Sequence, residues 1–293
     1  MKIVFFSNGF FGIESLKKIN SKHSLVSIVT NKATKSGRGL TSKNTPVYKW
    51  ANNNKINVIT IDNLNNIDFI KSLKLLNADL FIVIEYKILP PIIFEIPKYG
   101  AINLHASLLP KYRGAAPIQR SLMNGDTNLG LTVFKINKNV DTGDIIDSKK
   151  FTFNDRTTYG EAYNFLSIQG GLLLIHSLSI LLSNKISINQ DDTKYTSANK
   201  IKNIDRKINF SNTSFKIHNQ IRGLHPKPGT YCYLLNQRVK LYDSYYNNDN
   251  SLKSGEFKVF DDILHIGCQQ GQITAKKLQI EGKAPITPSD FSN

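Results

Sequence analysis

Short apolar runs alternate with amphipathic stretches through the first 180 residues. KIVFFS at 2–7 is a strand-length segment with the apolar run Ile3–Phe6 at its centre, and residues 13–19 follow it with apolar positions at helical spacing. SLVSIVT at 24–30 predicts a second strand. VYKWANNN at 47–54 predicts a helix, opened by Pro46 at its first turn. NVITI, IDFIKSLKLL and DLFIVI repeat the order strand, helix, strand between 57 and 84. AINL, LTVFKI and IIDSKKFTF predict later strands, and 158–182 predicts one long apolar helix with Gly170 and Gly171 inside it. Strands that alternate with helices imply an open, mostly parallel α/β sheet of Rossmann-like type.

The texture changes near residue 184. The stretch to about 207 is polar and aperiodic, as a linker would be. Past His225-Pro226-Lys227-Pro228-Gly229 come five short runs, TYCYLL, RVKLYDSYY, EFKVF, ILHIGC and QITAKKLQI, each bounded by Gly, Asn or Asp. Five strands without intervening helices predict a small antiparallel, OB-like β-barrel. The expected organisation is therefore a Rossmann-like domain over 1–189, a linker over 190–207 and an OB-like domain over 208–293.

With 293 residues and 40% apolar content the chain can bury two ordinary cores. An unbroken apolar run of membrane-spanning length is absent, so no membrane association is expected. Cys232 and Cys268 have no CxxC spacing and read as buried thiols in a reducing cytoplasm. The histidines are scattered without metal-ligand spacing, so no metal is expected. The net charge is +16, and its distribution says more than its size. Nine Lys or Arg and no acid lie between Glu14 and Asp62; nine more lie in 200–240 against the single acid Asp205. Two separated basic segments point to a polyanionic partner, with nucleic acid the obvious candidate. A compositional drift toward Lys, Asn and Ile along the whole chain would also raise the charge, through its lysines alone.

The chemistry concentrates after AINL. Asn103 and His105 are two apart and face one side of an extended chain, at the strand end where α/β enzymes place their sites. An amide and an imidazole there can bind a developing oxyanion and move a proton. Asp141-Thr142-Gly143-Asp144 follows the strand LTVFKI, and a carboxylate in that turn could orient His105. Spacing alone does not bring the two together.

Taken jointly, Asn103-Leu104-His105, Ser107-Leu108-Leu109-Pro110, Arg113-Gly114-Ala115-Ala116-Pro117-Ile118-Gln119 and Asp141-Thr142-Gly143-Asp144 resemble the folate-dependent formyltransferase family. The resemblance extends to Ser36-Gly37-Arg38-Gly39, to Ile221-Arg222-Gly223-Leu224-His225-Pro226 and to the ending around Leu278–Lys283. It implies a Rossmann-like domain followed by an OB-like barrel. It also implies transfer of a formyl group from 10-formyltetrahydrofolate to the free amine of initiator methionyl-tRNA, with Asn103, His105 and Asp141 catalytic. On the same ground Ser107, Leu108, Leu109, Pro110, Tyr86 and Ile88 are expected at the folate. Lys35, Arg38, Lys43, Lys202, Arg206, Lys207, Lys216 and Arg222 are expected at the tRNA. A cytoplasmic monomer is the expected form.

The pattern departs from the family at Ser7-Asn8-Gly9, where a Gly-Thr-Pro turn is usual, and at Glu85-Tyr86-Lys87, where Ala-Tyr-Gly is usual. Lys227 replaces a Trp, and Leu40-Thr41 follows Arg38 in place of a Lys pair. Three other readings fit parts of this pattern. An amino-sugar nucleotide could accept the formyl group, water could accept it, or the chain could bind tRNA with reduced catalysis.

Overall fold

The computed structural model describes residues 1–36, 41–183 and 187–292, with the backbone alone at Lys35, Ser36, Thr41 and Ser292. It divides into two compact units. The first comprises Met1–Gly114, Gly130–Lys150 and Tyr163–Ser197; the second comprises Ala115–Leu129, Phe151–Ala162 and Ala198–Asn293.

In the first unit the predicted alternation is realised. β1 (Lys2–Ser7), α1 (Phe11–Lys22) and β2 (Ser24–Thr30) are followed by a two-stranded hairpin of β3 (Thr34–Ser36) and β4 (Thr41–Lys43). Then come α2 (Pro46–Asn53), β5 (Val58–Thr60), α3 (Ile67–Leu75), β6 (Leu80–Ile84), α4 (Pro91–Phe94) and β7 (Ala101–His105). Pro46 opens α2 as expected, and the Thr45 side chain caps it by accepting from Tyr48 N–H. After α5 (Pro117–Met123), which belongs to the second unit, come β8 (Asn128–Lys135), β9 (Ile145–Thr152) and α6 (Tyr159–Leu182). The seven-stranded sheet runs β5-β2-β1-β6-β7-β8-β9. β5, β2, β1, β6 and β7 are parallel, while β8 pairs antiparallel to β7. Phe5, Phe6, Phe81 and Phe134 are fully buried on these strands, each contributing about 1.5–3 kcal/mol of apolar transfer.

α6 is long and apolar enough to cross a bilayer by length and composition, although polar residues interrupt its apolar runs. Its buried side is that of a core helix: Leu166, Leu173, Leu174 and Leu178 are at most 6% exposed. The glycine pair is explained by close approach. A Cβ on Gly170 would lie 2.6 Å from Leu104 Cδ2, and one on Gly171 would lie 3.0 Å from Glu14 O.

In the second unit α7 (Ser214–Leu224) precedes a six-stranded antiparallel sheet. The five predicted strands are β10 (Cys232–Leu234), β11 (Gln237–Asn247), β12 (Phe257–Phe260), β13 (Ile263–Gly267) and β14 (Gln272–Ile280). They run β10-β11-β14-β13-β12, with the short β15 (Pro285–Ile286) beside β14 and α8 (Pro288–Ser292) after it. The sheet curls as an OB-like half-barrel around Val239, Leu241, Leu264, Ile266, Ile273 and Leu278. Cys232 and Cys268 are buried free thiols, and burial pushes the Cys232 thiol up to about 12.

Candidate active site

The site is built where β7 ends. Asn103 pairs with Val83 on parallel β6 and with Phe134 on antiparallel β8, so it is anchored on both sides two residues before the chain leaves the sheet. Its side chain is half-buried, and its amide carries no internal hydrogen bond among the described residues. His105 is 7% exposed and meets the Phe134 ring edge-on. Its Nε2 lies 2.8 Å from the carbonyl oxygen of Tyr112. A carbonyl only accepts, so Nε2 carries the hydrogen and donates it. In the neutral imidazole Nδ1 is then the nitrogen with the lone pair.

Nδ1 faces Asp141, whose Oδ2 is 3.7 Å away. The loop after β8 therefore brings together the two groups that spacing left apart. Asp141 stands at φ +54°, and its Oδ2 accepts the Gly114 N–H at 2.8 Å. Gly143 lets the loop fold back on β8: a Cβ there would sit 1.6 Å from Lys135 O. Asp141 is thus fixed from two directions before any substrate arrives.

The turn 107–110 is pinned to β8 by one hydroxyl. Thr132 Oγ1 donates to Ser107 O at 2.7 Å and accepts Leu109 N–H at 3.1 Å. The expected folate residues fare unevenly. Leu108 and Pro110 are half-buried and Ile88 is 69% exposed, so these can meet a ligand. The Ser107 hydroxyl is buried and donates to Lys111 O at 2.6 Å, and Leu109 is core. The Tyr86 ring packs edge-on to Phe6, its hydroxyl buried without a hydrogen-bond partner among the described residues; burial pushes that phenol up to about 12.

The unusual Glu85 also has a place. It sits at φ +49° just beyond β6. Although much of the residue reaches solvent, its carboxylate accepts from Phe11 N–H at 3.3 Å and from the Tyr163 hydroxyl at 3.2 Å. Desolvation pushes this carboxyl above its ordinary range, against the two hydrogen bonds, which act the other way. A Cβ at Gly9 would lie 1.7 Å from its Oε2, so a side chain there would displace this carboxylate. Lys87 Nζ donates to Asp62 O at 2.7 Å.

Among the expected tRNA residues, Lys43, Lys202, Lys207 and Lys216 are exposed. Two arginines are not free to meet a partner. Arg222 is 2% exposed, and its guanidinium donates to Asn219 Oδ1, Thr157 O and Asp126 O inside the second unit. Arg206 is half-buried and donates to Gly229 O, Pro228 O and Asn203 Oδ1. Sequence displays their charge and conceals their burial. Arg38 and the side chain of Lys35 lie outside the described residues. Sequence reading named Arg113 within a family motif without giving it a role, and passed over Gln190 and Thr196; the three surround the Asp141 loop and the Tyr112 turn, and nothing in a polar, aperiodic stretch marks the last two.

Two family models match consecutive stretches of the chain. The family model described as "Formyl transferase" matches residues 1–178. The one described as "Formyl transferase, C-terminal domain" matches 200–293. The chain belongs to the formyl transferase family. Its relatives include "Methionyl-tRNA formyltransferase" of Clostridium novyi, 36% identical, and that of Rickettsia rickettsii, 34% identical. Each alignment covers 99% of this chain and 96% of the relative. Among solved structures, an N-formyltransferase from Helicobacter canadensis in complex with folinic acid and dTDP-3-aminofucose superposes with a TM-score of 0.71 at 25% identity, over 94% of this chain and 98% of that one. The sugar 3N-formyl transferase WlaRD gives 0.70 at 24% identity, over 97% and 99%. These two sugar formyl transferases share the fold of this chain over nearly its whole length.

Proposed function

We propose that this chain transfers a formyl group from 10-formyltetrahydrofolate to the amine of initiator methionyl-tRNA, in the cytoplasm and as a monomer. The observation that carries the reading is the full-length similarity to proteins named for that reaction. The geometry at the end of β7 supplies a chemistry for it. The neutral amine attacks the formyl carbon, forming a C–N bond and placing negative charge on the formyl oxygen. The free N–H groups of Asn103 donate to that oxygen. His105 Nδ1 takes the proton that the amine sheds, while Nε2 stays bound to Tyr112 O. Asp141 steadies the resulting imidazolium. Collapse breaks the bond from carbon to folate N10, and that nitrogen receives the proton. General acid–base help of this kind contributes roughly 10²–10⁴-fold and an oxyanion donor roughly 10²–10³-fold.

Leu108, Pro110, Tyr86 and Ile88 would border the folate, with Ser107 and Leu109 shaping the turn behind them. Exposed Lys43, Lys202, Lys207 and Lys216, together with Lys35 and Arg38, would neutralise tRNA phosphates. Arg206 and Arg222 would support that surface from within. The working division is a catalytic domain over 1–189, a connection over 190–207 and a tRNA-binding domain over 208–293. A second acceptor, an amino-sugar nucleotide, is favoured by the likeness to the Helicobacter canadensis structure. The deciding experiment supplies 10-formyltetrahydrofolate with either charged initiator tRNA or a dTDP-amino sugar. Formyl-methionyl-tRNA as the product supports the proposal; formylated sugar with unmodified tRNA overturns it.

A further inference from the structure

The segment expected to be a bare connection does something more specific. Residues 188–197 lie along the catalytic unit as a strap. Ile188 exchanges backbone hydrogen bonds with Ile145 at 2.8 Å in both directions. Gln190 then reaches beneath the Asp141 loop. Its Nε2 donates to Asp141 O at 2.9 Å and to Gly143 O at 2.7 Å. Its Oε1 accepts from both Nε and Nη2 of Arg113, at 3.0 and 2.7 Å. The guanidinium is 8% exposed, also donates to Asp192 Oδ1 at 2.7 Å and lies over the Tyr195 ring. Further on, Thr196 Oγ1 accepts Tyr112 N–H at 2.8 Å and Thr196 O accepts Arg113 N–H at 3.0 Å.

These contacts converge on the two sides of the catalytic pair. Tyr112 supplies the carbonyl that orients His105, and Asp141 supplies the carboxylate. Both residues occupy the left-handed region, Tyr112 at φ +61° and Asp141 at φ +54°. A non-glycine residue holds such a backbone only where its surroundings over-determine it. The strap bonds the backbone of both residues. We infer that Gln190 is a positioning residue for formyl transfer, clamping the Asp141 loop through its side-chain amide and passing the same hold to the Tyr112 turn through Arg113.

The inference rests on the proposed reaction, so its test has one arm that needs no turnover. Gln190→Met keeps the length of the side chain and removes its hydrogen bonds; Gln190→Glu keeps an acceptor for Arg113 and removes the two N–H donors. Each should lower kcat by about tenfold or more with KM for donor and tRNA within about twofold, the pattern of lost transition-state alignment. In the Asp141→Asn background the same changes should cost less than about twofold, because residues acting as a unit are not additive. The second arm is amide hydrogen exchange at Gly114, whose N–H is held by Asp141. It should speed up by about tenfold in the variants while the melting temperature stays within a few degrees, reporting a local opening. Normal kcat, equal losses in the two backgrounds, or unchanged Gly114 exchange would overturn the role. A wild-type protein inactive toward tRNA would instead sink the proposed reaction and leave the exchange arm to judge the clamp.

Discussion

Asp141→Asn isolates charge from geometry. Asparagine is isosteric, and it tolerates the left-handed φ of +54° better than most residues. Its amide oxygen can still accept the Gly114 N–H at 2.8 Å, so the loop should keep its shape. What disappears is a negative charge 3.7 Å from His105 Nδ1. The two side chains are 7% and 11% exposed, so bulk water screens them poorly. With an effective dielectric constant of about 20, an imidazolium and a carboxylate at that separation attract by about 4 kcal/mol. If the imidazolium is fully formed in the transition state, that interaction is worth roughly 10³-fold in kcat. Folding stability should change by less than about 1 kcal/mol, since the hydrogen bond is retained. The assay is single-turnover formylation of charged initiator tRNA, with urea denaturation as the control for folding. A fall of less than about tenfold in a folded variant would refute the assignment of Asp141 to stabilising the protonated histidine. A loss confined to the KM for tRNA would move it to binding.

Gly143→Ala must push a methyl carbon into Lys135 O, 1.6 Å from its ideal position, so stability should drop by about 3 kcal/mol or more; unchanged urea denaturation would show that the loop does not need this approach. His218 is buried with Nδ1 on Ser244 Oγ and Nε2 on Asp155 O, and desolvation holds its pKa below the ordinary 6.5. As pH falls below 6.5 the unfolded chain takes up a proton that the folded chain resists, so stability should decline through the window down to the depressed value. Melting curves between pH 7.5 and 5, run for wild type and His218→Gln, should show this decline flattened in the variant; parallel curves would contradict the sign. Neutralising Lys202, Lys207 and Lys216 together should reduce the salt slope of tRNA binding by roughly 0.7–0.9 for each phosphate that is no longer neutralised, with kcat at saturating tRNA unchanged. An unaltered slope would remove these lysines from the interface.

Much of the fold was legible because period and punctuation agree with burial. KIVFFS, SLVSIVT and DLFIVI are strand-length runs dominated by apolar residues, and they became the central parallel strands β1, β2 and β6. The five runs after Gly229 became β10 to β14. α7 escaped notice because its buried side includes His218, Asn219 and Arg222, so an apolar period understates the face that packs. The antiparallel direction of β8 beside β7 has no signature in either strand's sequence.

For the site, the sequence determined which groups are available and that Asn103 and His105 share a strand end, because two residues on an extended chain must face the same side. It also determined the family resemblance, carried by long motifs whose order does not depend on knowing the fold. Tertiary structure decided the rest. Asp141 meets His105 only because β8 returns antiparallel and its loop folds back over Gly143. The tautomer of His105 is set by a carbonyl seven residues away, and a charged residue such as Arg222 turns inward to satisfy carbonyl groups. Gln190 joins the site across 49 positions through two hydrogen bonds to backbone oxygens. Contacts of this kind are made to main chain, which every residue carries, so no pattern of side chains along the sequence announces them.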